Sequence, residues 1–409
     1  MRILQVVHSM DPRSGGPTAV VSNTARSLQE ASHDVSILTT TVQSSEPWVS
    51  PAEHRDRVEG QPGLSGVKIH WVNAWGRRGI WQRYAYGPSA HKSLRAIFHS
   101  PEKRPHVVHI NGTFSHLTQQ AAAAARRYSV PYIVTPMGSL SSLCLARGNS
   151  MLKRLFIRAF LERDLQHAAT VQATCEHEAL NVANLNANCR IDVVPHGVSL
   201  PSGDDWASRD IFLSQFPQLR GKRFVLFLSR VHPIKRLDLL IRAFSSLGTR
   251  FPELLLVVAG NDSGALQGAK DLIHDMRLEE KVLFTGFLAA DSKRGALEAA
   301  DVFALPSEHE NFGVAVVEAM AHGVPTIVTK GVAAHDYVDA SGCGYTVDST
   351  PDAIAEGLQR VLLGGKAHYG GRGRQFVIDH LTWSRVSQIL TSMYQDAVSA
   401  RGDALSDEF

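Results

Sequence analysis

Cysteine is scarce: among 409 residues only Cys144, Cys175, Cys189 and Cys343 occur, far apart and never as C-x-x-C. That spacing argues against a disulfide framework or a zinc site, and reads as reduced, buried thiols. Neither sign of charge predominates, since 42 Lys and Arg oppose 39 Asp and Glu, a net charge of +3. No overall basic excess points to nucleic acid. Apolar runs are all short, and none approaches the roughly 18 residues needed to span a bilayer. The opening "MRILQVVHSMDP" has too brief an apolar core for a secretory leader and reads as a first buried strand, so a cytoplasmic protein is expected. Low-complexity tracts are missing. So is the G-x-G-x-x-G dinucleotide fingerprint, which makes a dinucleotide-dependent dehydrogenase the weakest enzyme class. The 19 histidines do not cluster with carboxylates, so no metal site is expected.

What the chain does have is a regular alternation of short apolar runs with helical patterns. The first series is "RILQVV" (2–7), "DVSILTT" (34–40), "VKIHWV" (67–72), "HVVHI" (106–110), "PYIVT" (131–135), "ATVQAT" (169–174) and "RIDVVP" (190–195). After a polar segment (202–222) come "RFVLFLS" (223–229), "LLLVVAG" (254–260), "KVLFTGF" (281–287), "DVFAL" (301–305) and "PTIVT" (325–329). Runs rich in β-branched residues without polar alternation predict parallel strands covered on both faces. Two serial sets of β–α units predict an α/β protein of two doubly wound, Rossmann-like domains, 1–200 and 201–382. The segment 351–399 is helical in pattern. Ligands of such sheets sit beyond the carboxyl ends of the strands, and two sheets facing each other would frame a cleft.

The chemistry-bearing motifs fall at those strand ends. "SMDPRSGGPTAVV" joins the first strand to the first helix; it is either a flexible loop or a place where backbone at Gly15 and Gly16 approaches an anion. "FLSRVHPIKRLDLLIRAF" (227–244) sets Arg230 and Lys235 in the loop after a strand. Two cations there suit a diphosphate, Arg through paired hydrogen bonds and Lys as a mobile point charge; solvated loop charge is the plain alternative. "SEHENFGVAVVEAMAHGVP" (307–325) has Glu310 in a loop, Gly313 opening a helix and Glu318 on its second turn. Amides at that helix start could take phosphate, Glu310 sugar hydroxyls and Glu318 a ribose diol. "VVAGNDSGA" and "VLFTGFL" end two further strands, where Gly286, Phe287 and Leu288 either line a nucleotide base or form tight turns. His109 ends a strand and His116 follows it, so both could face the cleft, and His196 ends another strand near the domain junction. "WGRRGIWQRYAYGP" (75–88), with Arg77, Arg78, Arg83, Trp75 and Trp81, and "MLKRLFIRAFLERDL" (151–165) could each rest on anionic lipid or bind an acceptor, or be ordinary packed surface.

Together "FLSRVHPIKR", "VVAGND", "VLFTGF" and "PSEHENFGVAVVEAMAHGVPTIVT" resemble glycosyltransferase family 4, retaining enzymes of the GT-B fold. The resemblance spans nearly the whole chain, with "VVPHGV" similar to the strand and turn before the linker and "LTWSRVSQIL" similar to the closing helix. It implies an N-terminal acceptor domain, a C-terminal nucleotide-sugar domain, and a helix of about 383–399 crossing back to the first. Arg230 and Lys235 would bind and stabilise the leaving diphosphate. Glu310, with the backbone of Phe312, Gly313 and Val314, would hold the donor sugar, and Glu318 the ribose. Gly16 would approach the diphosphate or the acceptor. No cofactor or metal is implied, only a nucleotide-diphosphate-sugar as co-substrate. The expected partners are that donor and a glycan or glycolipid acceptor, in polysaccharide or glycolipid assembly, and the stretches 75–88 and 151–165 add a candidate peripheral contact at the inner face of a membrane. Ser229 and Arg236 stand where Gly is usual, and His196 where Asn is commoner. "VTPMGSLSS" puts Met137 where many members have His, so Met137, Gly138 and Ser139 join His109 as acceptor-side candidates. A GT-B nucleotide-sugar epimerase, a retaining glycoside hydrolase and a non-catalytic nucleotide-sugar-binding protein are the alternatives.

Overall fold

The computed structural model describes residues 1–12, 16–43, 48–75, 84–146, 150–185, 188–201 and 206–406. They divide into two units: Met1–Gly197 with the segment from Trp383 onward, and Val198–Thr382. In the first, seven parallel strands form one sheet: β1 (Arg2–Ser9), β2 (Asp34–Thr40), β3 (Lys68–Val72), β4 (Val107–Asn111), β5 (Tyr132–Thr135), β6 (Thr170–Ala173) and β7 (Ile191–Val193), in the order β3-β2-β1-β4-β5-β6-β7. β1 lies centrally, and its Ile3, Leu4, Val6 and Val7 are buried on both faces. Helix α1 (Gly16–Glu30) covers one face, where Val21, Ala25 and Leu28 share a core with Val386, Leu390 and Tyr394 of the closing helix Trp383–Ser406. Helix α2 (His116–Arg127) covers the other face, packing Leu117, Ala121, Ala122 and Ala125 against Leu4 and Val6. The Ser115 hydroxyl caps α2 by accepting from the Thr118 amide (3.2 Å), and Arg126 and Arg127 lie in its last turn, favourably for the helix dipole. Helix α3 (Glu176–Ala183) follows β6.

The second unit has six parallel strands: β8 (Phe224–Leu228), β9 (Leu255–Ala259), β10 (Val282–Gly286), β11 (Val302–Leu305), β12 (Thr326–Thr329) and β13 (Gly344–Val347), ordered β10-β9-β8-β11-β12-β13. Three helices frame the features that follow: α4 (Leu237–Ser246), α5 (Ala290–Ala299) and α6 (Val314–Ala321). Each sheet is doubly wound, the fold class expected. The winding reverses between β1 and β4 in one unit and between β8 and β11 in the other, the positions where such sheets open to ligands.

The expectation that every strand is covered on both faces needs correction at the edges. β3 exposes Lys68 and leaves Ile69, His70 and Trp71 half-buried, while β10 and β13 are half-buried along nearly their whole lengths. The cysteines are free, but only Cys175 and Cys343 are buried; Cys144 and Cys189 are partly exposed. Burial pushes the Cys175 thiol up to about 11, so it stays protonated. Among the described residues, no helix is long and apolar enough to cross a membrane.

Candidate functional site

Several charged residues of the second unit lie on the loops where its winding reverses. After β8, the Ser229 amide donates to the Ala259 carbonyl (3.0 Å) and the Val231 amide to Asn261 (2.9 Å), so the loops after β8 and β9 run side by side. Gly260 permits this: it has φ +148°, and a Cβ there would lie 1.9 Å from the Ser229 oxygen. Arg230 is exposed and forms no side-chain hydrogen bond or ion pair with other described residues. The chain then makes a 3-10 turn, Pro233–Lys235, capped by His232, whose Nδ1 accepts from the Ile234 amide (3.1 Å). Lys235 is only 6% exposed, and its ammonium is bonded to the Glu310 carboxylate. It is therefore a fixed cation, not the mobile one expected. Arg236 follows in the left-handed conformation (φ +50°), which glycine adopts at no steric cost. Here the residue is held by its guanidinium, which donates to both oxygens of Asp238 (3.0 Å each) and to Glu308 (2.6 Å). Those hydrogen bonds, Asp238 first, push its pKa further up.

The loop after β11 is tied to that turn. Buried Ser307 donates to the carbonyls of Ile234 and His309 (3.1 Å each), and the Glu308 amide donates to Ile234 (2.9 Å). Glu310 forms a parallel bridge with Val332: its amide donates to Gly331 (2.8 Å) and its carbonyl accepts from Ala333 (3.1 Å). Phe312 is buried edge-on to Tyr337, with ring centroids 6.0 Å apart. Gly313 has φ +87° and starts α6; a Cβ would lie 3.0 Å from Val332 Cγ1 and 3.3 Å from Ala334 Cβ. Val314 is the first helical residue. Glu318 lies on the second turn, as expected, and its carboxylate accepts from the Lys293 ammonium of α5 (2.7 Å). At the end of β10, Gly286 has φ +69° and its carbonyl accepts from the Gly260 amide (2.8 Å). Phe287 is 72% exposed and Leu288 buried.

Arg230, Lys235, Glu310, Phe312, Gly313, Val314 and Glu318 thus belong to one pair of adjoining loops and the helix they open. Gly286, Phe287 and Leu288 end the outermost strand. Lys293 and Glu308 escaped the sequence reading. The signal that could have found Lys293 was weak: one cation in the helix "ADSKRGALEA", visible only through its approach to Glu318. The arrangement offers cations for a polyanion, a helix N-terminus beside them, and two carboxylates able to accept from hydroxyls.

In the first unit, Gly16 opens α1, with open space where a Cβ would stand. At the end of β5, Met137 (φ +53°) and Gly138 (φ +77°) form a turn of two consecutive left-handed residues. Its anchor is Glu178 of α3, a carboxylate only 1% exposed. It accepts from the Gly138 amide (2.5 Å), the Thr174 amide (2.8 Å) and the Thr174 hydroxyl (2.7 Å). Ser139 donates to the Pro136 carbonyl (2.6 Å) and shares a hydrogen bond with the Thr113 hydroxyl (2.7 Å).

His109, expected to face the cleft, lies instead in the core beneath the closing helix. Its Nδ1 is 2.6 Å from the Tyr394 hydroxyl and its Nε2 2.6 Å from Thr135 Oγ1. Thr135 donates onward to Gln172 (3.0 Å), and Gln172 to the Val194 carbonyl (2.9 Å). That chain fixes the proton on Nε2 and leaves Nδ1 to accept from Tyr394. Burial lowers His109 to about 3, helped by the charge of His196, and burial lowers His196 to about 4. Both are neutral at physiological pH and hold structure. His116 starts α2 and packs at a tilt against Tyr86, centroids 4.7 Å apart. Arg77, Arg78, Trp81 and Arg83 lie outside the described residues; Trp75 is exposed beside Tyr86. Among the described residues no His, Cys, Asp and Glu group could hold a metal.

Comparison with known proteins points the same way. Residues 15–197 match the glycosyl transferase 4-like domain and residues 209–370 the glycosyl transferases group 1 family. A D-inositol 3-phosphate glycosyltransferase of Mycolicibacterium gilvum is 31% identical over 296 residues, which are 68% of this chain and 63% of that protein. A GDP-mannose:cellobiosyl-diphosphopolyprenol alpha-mannosyltransferase of Xanthomonas campestris is 26% identical over 91% of this chain and 90% of its own length. Among solved structures, sucrose-phosphate synthase from Thermosynechococcus elongatus superposes with a TM-score of 0.74 at 18% identity, covering 98% of this chain and 100% of that one. Anabaena Alr3699/HepE in complex with UDP and glucose gives 0.72 at 16% identity, covering 97% and 99%. With one family model matching each unit and a GT-B architecture in both sheets, the chain belongs to glycosyltransferase family 4.

Proposed function

We propose that the protein transfers a sugar from a nucleotide-diphosphate-sugar to an acceptor hydroxyl, retaining the anomeric configuration and needing no metal. The observation carrying this reading is the convergence, where the second sheet's winding reverses, of exposed Arg230, the Lys235–Glu310 pair, the start of α6 and Glu318. Arg230 and Lys235 meet the diphosphate and neutralise the charge that grows as it leaves. Lys235 keeps its bond to one Glu310 oxygen and fixes that carboxylate in place, leaving the other oxygen to accept from the sugar hydroxyls. Glu318, steadied by Lys293, accepts from the ribose diol, and the backbone from Gly286 to Leu288 borders the base. The bond from the sugar's anomeric carbon to the phosphate oxygen breaks while the acceptor oxygen bonds to the same face. The acceptor's proton passes to the departing phosphate.

The first unit is assigned the acceptor, with the Met137–Ser139 turn presenting backbone to it. A glycan or lipid-linked glycan acceptor is supported by the diphosphopolyprenol in the name of the Xanthomonas relative. Polysaccharide or glycolipid assembly at the inner face of a membrane follows from that chemistry. The test is a panel of nucleotide-sugars scored for nucleoside diphosphate release, with and without chelator. Turnover of at least one donor, unaffected by chelator, is expected; neither binding nor turnover of any would refute the proposal. Donor isomerisation without an acceptor would favour the epimerase, and tight binding without turnover a non-catalytic role.

A further inference from the structure

The crossover between β5 and β6 carries a surface that the transfer chemistry does not use. Helix Ser150–Phe156 runs into a π-helical turn, Ile157–Leu161, which continues as helix Glu162–Gln166. One side of this segment is core, where Ile157, Leu161 and Leu165 are buried. The other side exposes large apolar side chains: Met151 (80% exposed), Leu155 (63%) and Phe160 (53%). In an unbroken α-helix Phe160 would point about 140° away from Leu155, because five residues overshoot one turn of 3.6. The i→i+5 bonding of the π turn, in which the Glu162 amide donates to the Ile157 carbonyl, winds more slowly. It brings Phe160 back towards the side of Met151 and Leu155. One inserted residue thus lengthens an exposed apolar stripe while Ile157 and Leu161 stay buried.

Cations flank the stripe. Arg154, Arg158 and Arg163 are exposed, and Arg154 and Arg158 form no ion pair with described residues. Of the segment's two carboxylates, Asp164 is bonded to Arg126 (2.6 Å) and lies near Arg163, and Glu162 forms no ion pair with Arg154 or Arg158. Three exposed apolar side chains beside exposed guanidinium groups match the boundary of an anionic bilayer, where the apolar groups enter below the headgroups and the cations stay among the phosphates. A soluble glycan would offer nothing to bury Met151 or Leu155.

We infer that Met151, Leu155 and Phe160, with Arg154 and Arg158, form a docking face for an anionic lipid surface. The inference rests on the membrane-side part of the proposed function, and it places the lipid contact in the same β5–β6 crossover as the Met137–Ser139 turn.

The experiment is co-sedimentation of the full chain, without nucleotide-sugar, on vesicles of phosphatidylcholine with or without phosphatidylglycerol. Expected is binding to the anionic vesicles and much weaker binding to neutral ones. Arg154→Glu/Arg158→Glu should weaken it about tenfold or more, and Met151→Ser/Leu155→Ser, which spares the Phe156–Phe160 ring contact, should weaken it similarly. Thermal unfolding should not change, because these side chains are exposed. Arg242→Glu/Arg250→Glu, in the second unit, is the control and should bind as wild type. Failure of the wild-type chain to sediment, or equal sedimentation of the patch variants, would overturn the inference. So would concentration-dependent dimerisation lost in the Leu155 variant, which would assign the face to a second copy. Donor turnover is scored separately on a soluble acceptor, so loss of vesicle binding leaves the transferase reading standing.

Discussion

Lys235 shows how one side chain joins structure to chemistry. A buried ammonium is costly unless paired, and Glu310 is its partner. Removing either leaves the other uncompensated. Lys235→Ala should cost about 1–3 kcal/mol of stability, between surface-pair and buried-pair values because Glu310 is partly exposed. It should also slow transfer about 10²–10³-fold through loss of charge stabilisation, and Glu310→Gln, which keeps an oxygen acceptor for the ammonium but not its countercharge, should slow transfer at some cost in stability without unfolding the chain. Initial rates alongside thermal unfolding separate the two effects; unimpaired rates in both variants would move the chemistry elsewhere. Two buried histidines give a second expectation. His109 at about 3 and His196 at about 4 bind fewer protons folded than unfolded, where histidine titrates near about 6.5. Their contribution to stability is complete above about pH 6.5 and is lost as pH falls through about 4 towards about 3. The apparent Tm should therefore fall between pH 6.5 and 4, and His109→Gln should flatten that slope. A variant with the wild-type slope would contradict the burial argument. The residue types of this site were legible in "FLSRVHPIKR" and the E-x₇-E spacing. That Lys235 is fixed, Lys293 paired with Glu318 and His109 internal was not legible, because each depends on partners distant in sequence.

At the scale of elements, strand existence was readable from β-branched runs bounded by Gly and Pro. β13 was missed: "GYTV" is short, half-buried and on a sheet edge, so it lacks the apolar continuity of β8 or β12. The π turn at Ile157–Leu161 has no periodic signature in "MLKRLFIRAFLERDL" and follows from packing. Two turns carry expectations. Gly313 needs its positive φ and has little room for a methyl group, so Gly313→Ala should shift the start of α6 and weaken nucleotide binding about tenfold, read by calorimetry. Unchanged affinity would mean that the α6 N-terminus does not contact the nucleotide. Glu178 holds Met137–Gly138 from the core, so Glu178→Ala should leave buried donors unpaired and cost about 2–4 kcal/mol. The gentler Glu178→Gln should raise the KM for acceptor more than that for donor. Equal effects on both substrates would remove the turn from the acceptor side.

At the scale of the whole molecule, the chain leaves the first unit after Gly197 and returns to it at Trp383. Truncation before Trp383 should strip Val386, Leu390 and Tyr394 from the first unit's core, raising hydrogen exchange in residues 1–197 while sparing 198–382. Uniform loss of protection would mean that the units do not fold separately. The repeated β–α pattern made two doubly wound sheets legible, because parallel strands buried on both faces leave a plain apolar signature. Product stereochemistry is the most direct test that the chain transfers sugar with retention. Incubation with an accepted nucleotide-sugar and its acceptor, followed by NMR of the new glycosidic bond, should give the donor's own anomeric configuration. An inverted anomer, or no transfer from any nucleotide-sugar, would contradict it.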